Sequence, residues 1–251
     1  MFGNYFYNES LRKMTVAFGT LFNNIRIESK SDTGSITKKI LVPLAYAPKE
    51  KFLVRLEQKP DLNERQFAIT LPRMGFEISG INYDASRKLT RVVKYKQVKP
   101  GTNGKVFYTN YVPVPYNINY NLHCFTATAE NGLQIIEQIL PFFQPDYTIT
   151  LNILPDMNIV RDVPIVLNNI TYEDNYTGDF STRRAVIYNL NFTAKTYLYG
   201  PMTTQGVITK VQTDISGHIT PDHVRDERII VVPSPTNASP DSDFGFTTTI
   251  E

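Results

Sequence analysis

The chain has 251 residues with 26 Lys+Arg against 24 Asp+Glu, long enough for one large domain or two small ones around a real core. A single cysteine excludes an internal disulfide and argues against a cysteine-based zinc site, and no apolar run approaches the ~20 residues that a membrane-crossing helix needs. The near-neutral total hides a polarity: residues 1–125 hold 19 Lys+Arg against 9 Asp+Glu, and residues 126–251 hold 7 against 15.

Tyr and Phe are plentiful while Asn and Pro recur throughout, the texture of a strand-rich fold with many turns. Asn8 is placed to cap a helix whose apolar stripe is Leu11, Met14, Phe18, Leu21 and Phe22. A hairpin follows, with Ile25 and Ile27 alternating with Arg26 and Glu28. It turns through SKSDTGS and resumes at Ile36, Ile40, Val42 and Leu44. Pro48 opens a short helix that points Phe52, Leu53 and Leu56 inward. Phe67 to Leu71 and Met74 to Ile78 read as strand, interrupted near Pro72.

Residues 84–111 set seven cations (Arg87, Lys88, Arg91, Lys94, Lys96, Lys99 and Lys105) against Asp84 alone, interleaved with Tyr95, Phe107, Tyr108 and Tyr111. The expectation is a hairpin or loop projecting from the sheet, with KPGTNGK as its turn. From Asn117 the period is two. Ile118, Tyr120, Leu122 and Cys124 share one face, and Asn117, Asn119, Asn121 and His123 the other. The period then becomes helical, with Leu133, Ile136 and Leu140, flanked by Ile135 and Ile139, as the expected inner side and Gln134, Glu137 and Gln138 facing water. Pro141 ends that helix, and Phe142 and Phe143, held before Pro145, are expected to run extended and to need a cover. Val163, Ile165 and Leu167 predict another strand. After the loop EDNYTGD comes the longest alternation, Val186, Tyr188, Leu190, Phe192, Ala194 and Leu198.

Beyond about Met202 the chain is polar, with short apolar runs at Ile229, Ile230, Val231 and Val232 and at Phe244 and Phe246. Such a segment buries too little to hold itself. The chain therefore divides into a core domain, 1–202, and an extended arm, 203–251.

Catalytic constellations are weak. His123 and Cys124 are strand neighbours and point to opposite faces, so they form no dyad. His218 and His223 with Asp214, Asp222 and Asp226 have metal-ligand chemistry but lie in the polar arm. Gly101-x-x-Gly104-Lys105 lacks the spacer and following Ser/Thr of a phosphate loop. The basic, tyrosine-bearing segment 84–111 suits nucleic acid, and a solvated loop explains it equally well.

Seven stretches together carry a resemblance: MFGNYFYN, FGTLFNNIRI, VPVPYNINYNL, QIIEQILPFFQPDY, RDVPIVLNNITYED, TRRAVIYNLNFTAKTYLYGP and SPDSDFGFTTTIE. In this order they resemble the tail sheath stabilisers of T4-like contractile-tailed bacteriophages, proteins that complete the head-proximal end of the tail. The resemblance implies an α+β fold, a mixed, mostly antiparallel sheet with a few packed helices. It also implies a structural virion protein, assembled in the host cytoplasm, without catalytic residues or cofactor. The expected partners are its own copies in a six-fold ring, the tail sheath protein, the tail tube or its terminator, and the head-completion proteins of the neck. DNA would pass through the lumen unread, and no membrane is involved. The alternative is a DNA-binding neck or packaging protein using 84–111.

Head-to-tail closure of a ring needs two unlike patches. The charge polarity nominates Arg91, Lys94 and Lys96 on one side and the acidic loop Glu173, Asp174 and Asp179 on the other, with Phe142 and Phe143 as the apolar option. Ile229, Ile230, Val231, Val232, Phe244 and Phe246 are the expected contacts of the arm with sheath or adjacent subunit.

Overall fold

A computed structural model describes residues 5–30, 36–57, 71–99, 106–175, 185–217, 226–238 and 243–251. Asp179, His218, Asp222, His223, the strand start at Phe67 and the turn 100–105 lie outside the described residues. In chain order the elements are α1 (Ser10–Leu21), β1 (Arg26–Lys30), β2 (Ile36–Leu41), β3 (Leu44–Tyr46), α2 (Lys49–Glu57), β4 (Arg73–Tyr83), β5 (Lys94–Val98) and β6 (Val106–Tyr111). Then come β7 (Val114–Thr126), α3 (Ala129–Ile139), β8 (Asp146–Leu154), β9 (Ile159–Asn175), β10 (Ala185–Leu198), β11 (Thr203–Gly206), β12 (Val211–Ile215), β13 (Glu227–Ser234) and β14 (Gly245–Ile250).

The central sheet has the order β3-β4-β7-β10-β9-β8. Every pair in it is antiparallel except β3–β4, so the fold is α+β with a mixed, mostly antiparallel sheet, as expected. β7 and β10 pair without a register shift from Val114↔Leu198 to Thr126↔Val186. Because residues opposite each other share a face, the two alternations found in the sequence coincide. Ile118, Tyr120, Leu122 and Cys124 join Leu190, Phe192 and Ala194 in one fully buried surface. α1 lays Phe18 on it, stacked 4.3 Å from the Tyr120 ring and 5.4 Å from Phe192. α3 adds Ile135, Ile136 and Ile139. The small hairpin β1–β2 adds Ile27.

The rotation of α3 corrects the expected stripe. Leu133 is 57% exposed and Leu140 is also exposed, while Gly132, Ile135, Ile136 and Ile139 face inward. The reason is Gly132, whose added Cβ would lie 2.3 Å from the Tyr188 ring, so the helix sits close to the sheet along its glycine. Two glutamines expected to face water do more. Gln134 pairs with Glu28 N–H and C=O at 3.0 and 3.1 Å, and Gln138 pairs with those of Arg26 at 3.4 and 2.8 Å. Four helical residues rise about 6.0 Å and two strand residues about 6.6 Å, so amides at i and i+4 match peptides at i and i+2. They occupy the open edge of β1 as a further strand would.

Asn8 is not the cap of α1. That position belongs to Glu9, and the Asn8 amide donates instead to the Tyr199 and Gly200 carbonyls at 2.9 and 3.2 Å. Leu140–Phe142 form a 3-10 turn rather than an extended segment. Phe143 packs on Phe192 at 5.1 Å while Phe142 remains 65% exposed.

The projecting basic segment is the hairpin β5–β6, joined by β11 into a sheet of order β11-β6-β5. Tyr108 anchors it to a small cluster of Ile153, Leu154, Met157 and Tyr199 at the end of the central sheet. The last three strands form their own antiparallel sheet, β12-β13-β14.

Candidate functional site

Four surfaces contain the residues that the sequence nominates. The first is the second face of the central sheet, which carries Asn117, Asn119, Asn121 and His123 of β7 and Asn189, Asn191 and Thr193 of β10. α2 covers one end, where Phe52 packs 5.2 Å from Phe125. Beside it runs a chain of side-chain bonds. Lys49 Nζ donates to Glu173 Oε2 at 2.6 Å, Asn189 Nδ2 donates to Glu173 Oε1 at 2.7 Å, and His123 lies 2.7 Å from Asn189 Oδ1 and 3.2 Å from Glu77 Oε1. Further along, Thr193 links Asn119 at 3.0 Å and Asn168 at 2.7 Å, and Asn191 donates to Asn169 at 2.7 Å. His123 is buried here, not solvated, and Cys124 faces the opposite, apolar side. Burial pushes the Cys124 thiol up to about 12, and the Tyr120 hydroxyl up to about 12 against its bond to Thr15.

This network changes the standing of the expected acidic loop, whose Glu173 and Asp174 lie instead at the end of β9. The Lys49 hydrogen bond holds the Glu173 carboxyl below its usual value, so Glu173 is engaged inside its own subunit. Asp174 lies opposite Val186 in the β9–β10 pair.

The second surface is basic. Residues 88–96 are all exposed, including Arg91 in the turn and Lys94 and Lys96 on β5. Lys94 Nζ sits 4.9 Å from the Tyr111 ring centre, and Val92 is 82% exposed between the cations. Arg87 differs from its neighbours. It donates to Asp84 at 2.8 Å and to Asn117 Oδ1 at 2.7 Å, and lies 5.1 Å from the Tyr197 ring centre. Asp84 is held well below the usual carboxylate range by the Ser86 hydroxyl and then by Arg87. Arg87 is therefore a strut at the base of the hairpin.

The third is an open groove of about 460 Å³ where α1 ends against α3. Phe22, Ile139, Phe142, Phe143 and Tyr147 line it, so the two nominated phenylalanines share one site with unequal exposure.

The fourth is the β12–β14 sheet. Ile229, Ile230, Val231 and Val232 all lie on β13, its central strand, and are half-buried. Phe244 precedes β14 and Phe246, on β14, is 75% exposed. Asp214, which the sequence offered as a metal ligand, accepts from Arg228 at 3.0 Å. Among the described residues no group of three or more His, Cys, Asp or Glu is arranged to hold a metal.

Sequence reasoning missed the polar chain through Glu77, His123, Asn189, Glu173 and Lys49, because three of its links join residues 46 or more positions apart. Residues 5–250 match the T4-like virus Myoviridae tail sheath stabiliser family. The chain is also similar to the tail completion protein gp15 of Enterobacteria phage T4, with 33% identity over 221 residues, covering 85% of this chain and 79% of that protein.

Proposed function

This chain belongs to the tail sheath stabiliser family of T4-like viruses, and we propose that it completes the tail as a homo-hexameric ring at the head-proximal end. In that position it terminates sheath and tube, holds the sheath's last layer and offers the head-completion proteins of the neck a docking surface. The role is structural and non-enzymatic, with DNA passing through the lumen without sequence recognition. One observation in this subunit supports assembly into a ring. It carries large uncovered surfaces of unlike character, the basic hairpin around Arg91, Lys94 and Lys96 and the apolar, acidic C-terminal sheet. A closed ring built head to tail needs two different patches on each copy.

The test is the mass of the purified protein in solution together with particle images. A six-subunit species with a central hole is the expected result. A monomer at every concentration that shifts on adding duplex DNA would replace this reading with DNA binding by the basic hairpin. That binding would weaken steeply with salt, as phosphate contacts do.

A further inference from the structure

Residue-to-residue pairing in β12–β14 sorts its side chains into two faces. Val211 lies opposite Val231, Thr213 opposite Ile229 and Ile229 opposite Ile250, while Pro233 lies opposite Phe246. With Ile215 these make one face mostly apolar, its polar members being Thr213, Thr248 and Glu227. The reverse face carries Gln212, Asp214, Arg228, Thr247 and Thr249 between Ile230 and Val232. No residue of the three strands is buried. A three-stranded sheet is stable when an apolar face is covered, and the described residues of its own subunit leave this one open.

The charge around it points to the cover. Residues 203–251 hold 3 Lys+Arg against 7 Asp+Glu, and residues 84–111 hold 7 against 1. Glu227 sits at the end of the apolar face, opposite Ile215, and Asp243 precedes β14. The basic segment leading into β5 has the complementary make-up, with exposed Leu89, Val92 and Val93 set among Lys88, Arg91 and Lys94. Only residues 207–210 join β11 to β12, and β11 is at the opposite edge of its sheet from β5, which carries Lys94 and Lys96.

We propose that the apolar face of β12–β14 in one subunit docks on the exposed Lys88–Lys96 segment of a second copy, and that this contact closes the ring. The inference rests on the ring reading and names its interface. An apolar centre excludes water, and opposite rims fix the direction, since neither surface mates with itself.

Two variants separate the possibilities, each at exposed positions, with circular dichroism and thermal melting expected to match the unaltered protein. The first carries Phe246→Ser and Ile250→Ser; the second carries Arg91→Glu and Lys94→Glu. Analytical ultracentrifugation at low salt should find each alone monomeric, with the concentration needed for rings raised roughly 100-fold or more. Mixed, they should give a species of two subunits and no larger one, because each keeps the one surface that the other lacks. Adding Glu227→Lys and Asp243→Lys to the second variant should restore rings. Rings formed by either variant at the normal concentration, or a mixture that stays monomeric, would overturn the proposed interface while the ring reading stands. If the first variant forms rings yet no longer holds sheath, the sheath covers this face and the interface is likewise overturned. Unaltered protein that never forms rings removes both readings together.

Discussion

The central sheet and the C-terminal sheet are written in the same code and end in opposite states. Their central strands pair antiparallel, and both alternate apolar with polar residues. In the central sheet α1, α3 and the β1–β2 hairpin cover the apolar face, so Leu190, Phe192 and Tyr120 lose all contact with water. In the C-terminal sheet Val211, Phe246 and Ile250 stay exposed. Alternation therefore announces a face that needs burial; it does not say whether the cover belongs to the same chain. The polar faces differ as well. That of the central sheet is knitted by Asn, Thr and His side chains bonding across strands, which satisfies groups that α2 partly screens from water.

A charge separates the two sheets most strongly. Leu190→Asp places an unpaired carboxylate at a position of 0% exposure and should cost several kcal/mol or more, leaving insoluble or unfolded protein. Ile250→Asp on the open face should change the thermal midpoint of the monomer little, within about 0.5 kcal/mol. Equal damage from both would mean that the C-terminal face is covered within the subunit.

Truncation is the next contrast. Phe192→Ala removes a ring packed against Phe18, Phe22 and Phe143 and should lower stability by about 3–5 kcal/mol in denaturant titrations. Phe246→Ala should leave the midpoint almost unmoved.

Glycines sharpen the same point at smaller scale. Gly132→Ala forces a methyl against the Tyr188 ring and should cost about 1–3 kcal/mol by lifting α3 from the sheet. Gly206→Ala in β11 has nothing within 4 Å of the new carbon and should be neutral or slightly stabilising.

The smallest effect is acid sensitivity. The folded pKa values of Asp84 and Glu173 are depressed, by the Ser86 and Arg87 bonds and by the Lys49 bond respectively. A depressed carboxylate stabilises the fold above its unfolded pKa, about 4 here, and loses that contribution as pH falls towards the folded value. Melting temperatures of the unaltered protein should fall from about pH 4.5 downward. The double variant Asp84→Asn, Glu173→Gln should start lower at pH 6 and show a flatter acid limb. A parallel acid limb in both proteins would show that other carboxylates govern the loss.

Much of this architecture was legible from local pattern. The period-two runs at Ile118–Cys124 and Val186–Ala194 locate β7 and β10 and the faces they bury, since side-chain direction in a strand follows from backbone geometry alone. The hairpin in 84–111 was likewise readable from its turn residues and flanking aromatics. β8 was less legible, because Thr148 to Leu151 alternate over only four residues between Pro145 and Pro155. Leu133 and Ile135 are equally apolar, and no propensity separates them; Gly132 meeting Tyr188 decides which side of α3 turns inward.

Local pattern specifies the faces of β7 and β10 and the unequal charge of the two halves, and ordered motifs carry the family and with it the α+β class. Only the tertiary structure decided that Gln134 and Gln138 stand in for a strand, that Glu173 is held by Lys49, and that Phe142 and Phe143 part company. It also decided that the polar C-terminal segment pairs into a sheet with one open apolar face. The division has one physical cause. Backbone periodicity is set by neighbours a few residues apart, whereas partners such as Lys49 and Glu173 are 124 positions apart and are chosen by packing of the whole chain.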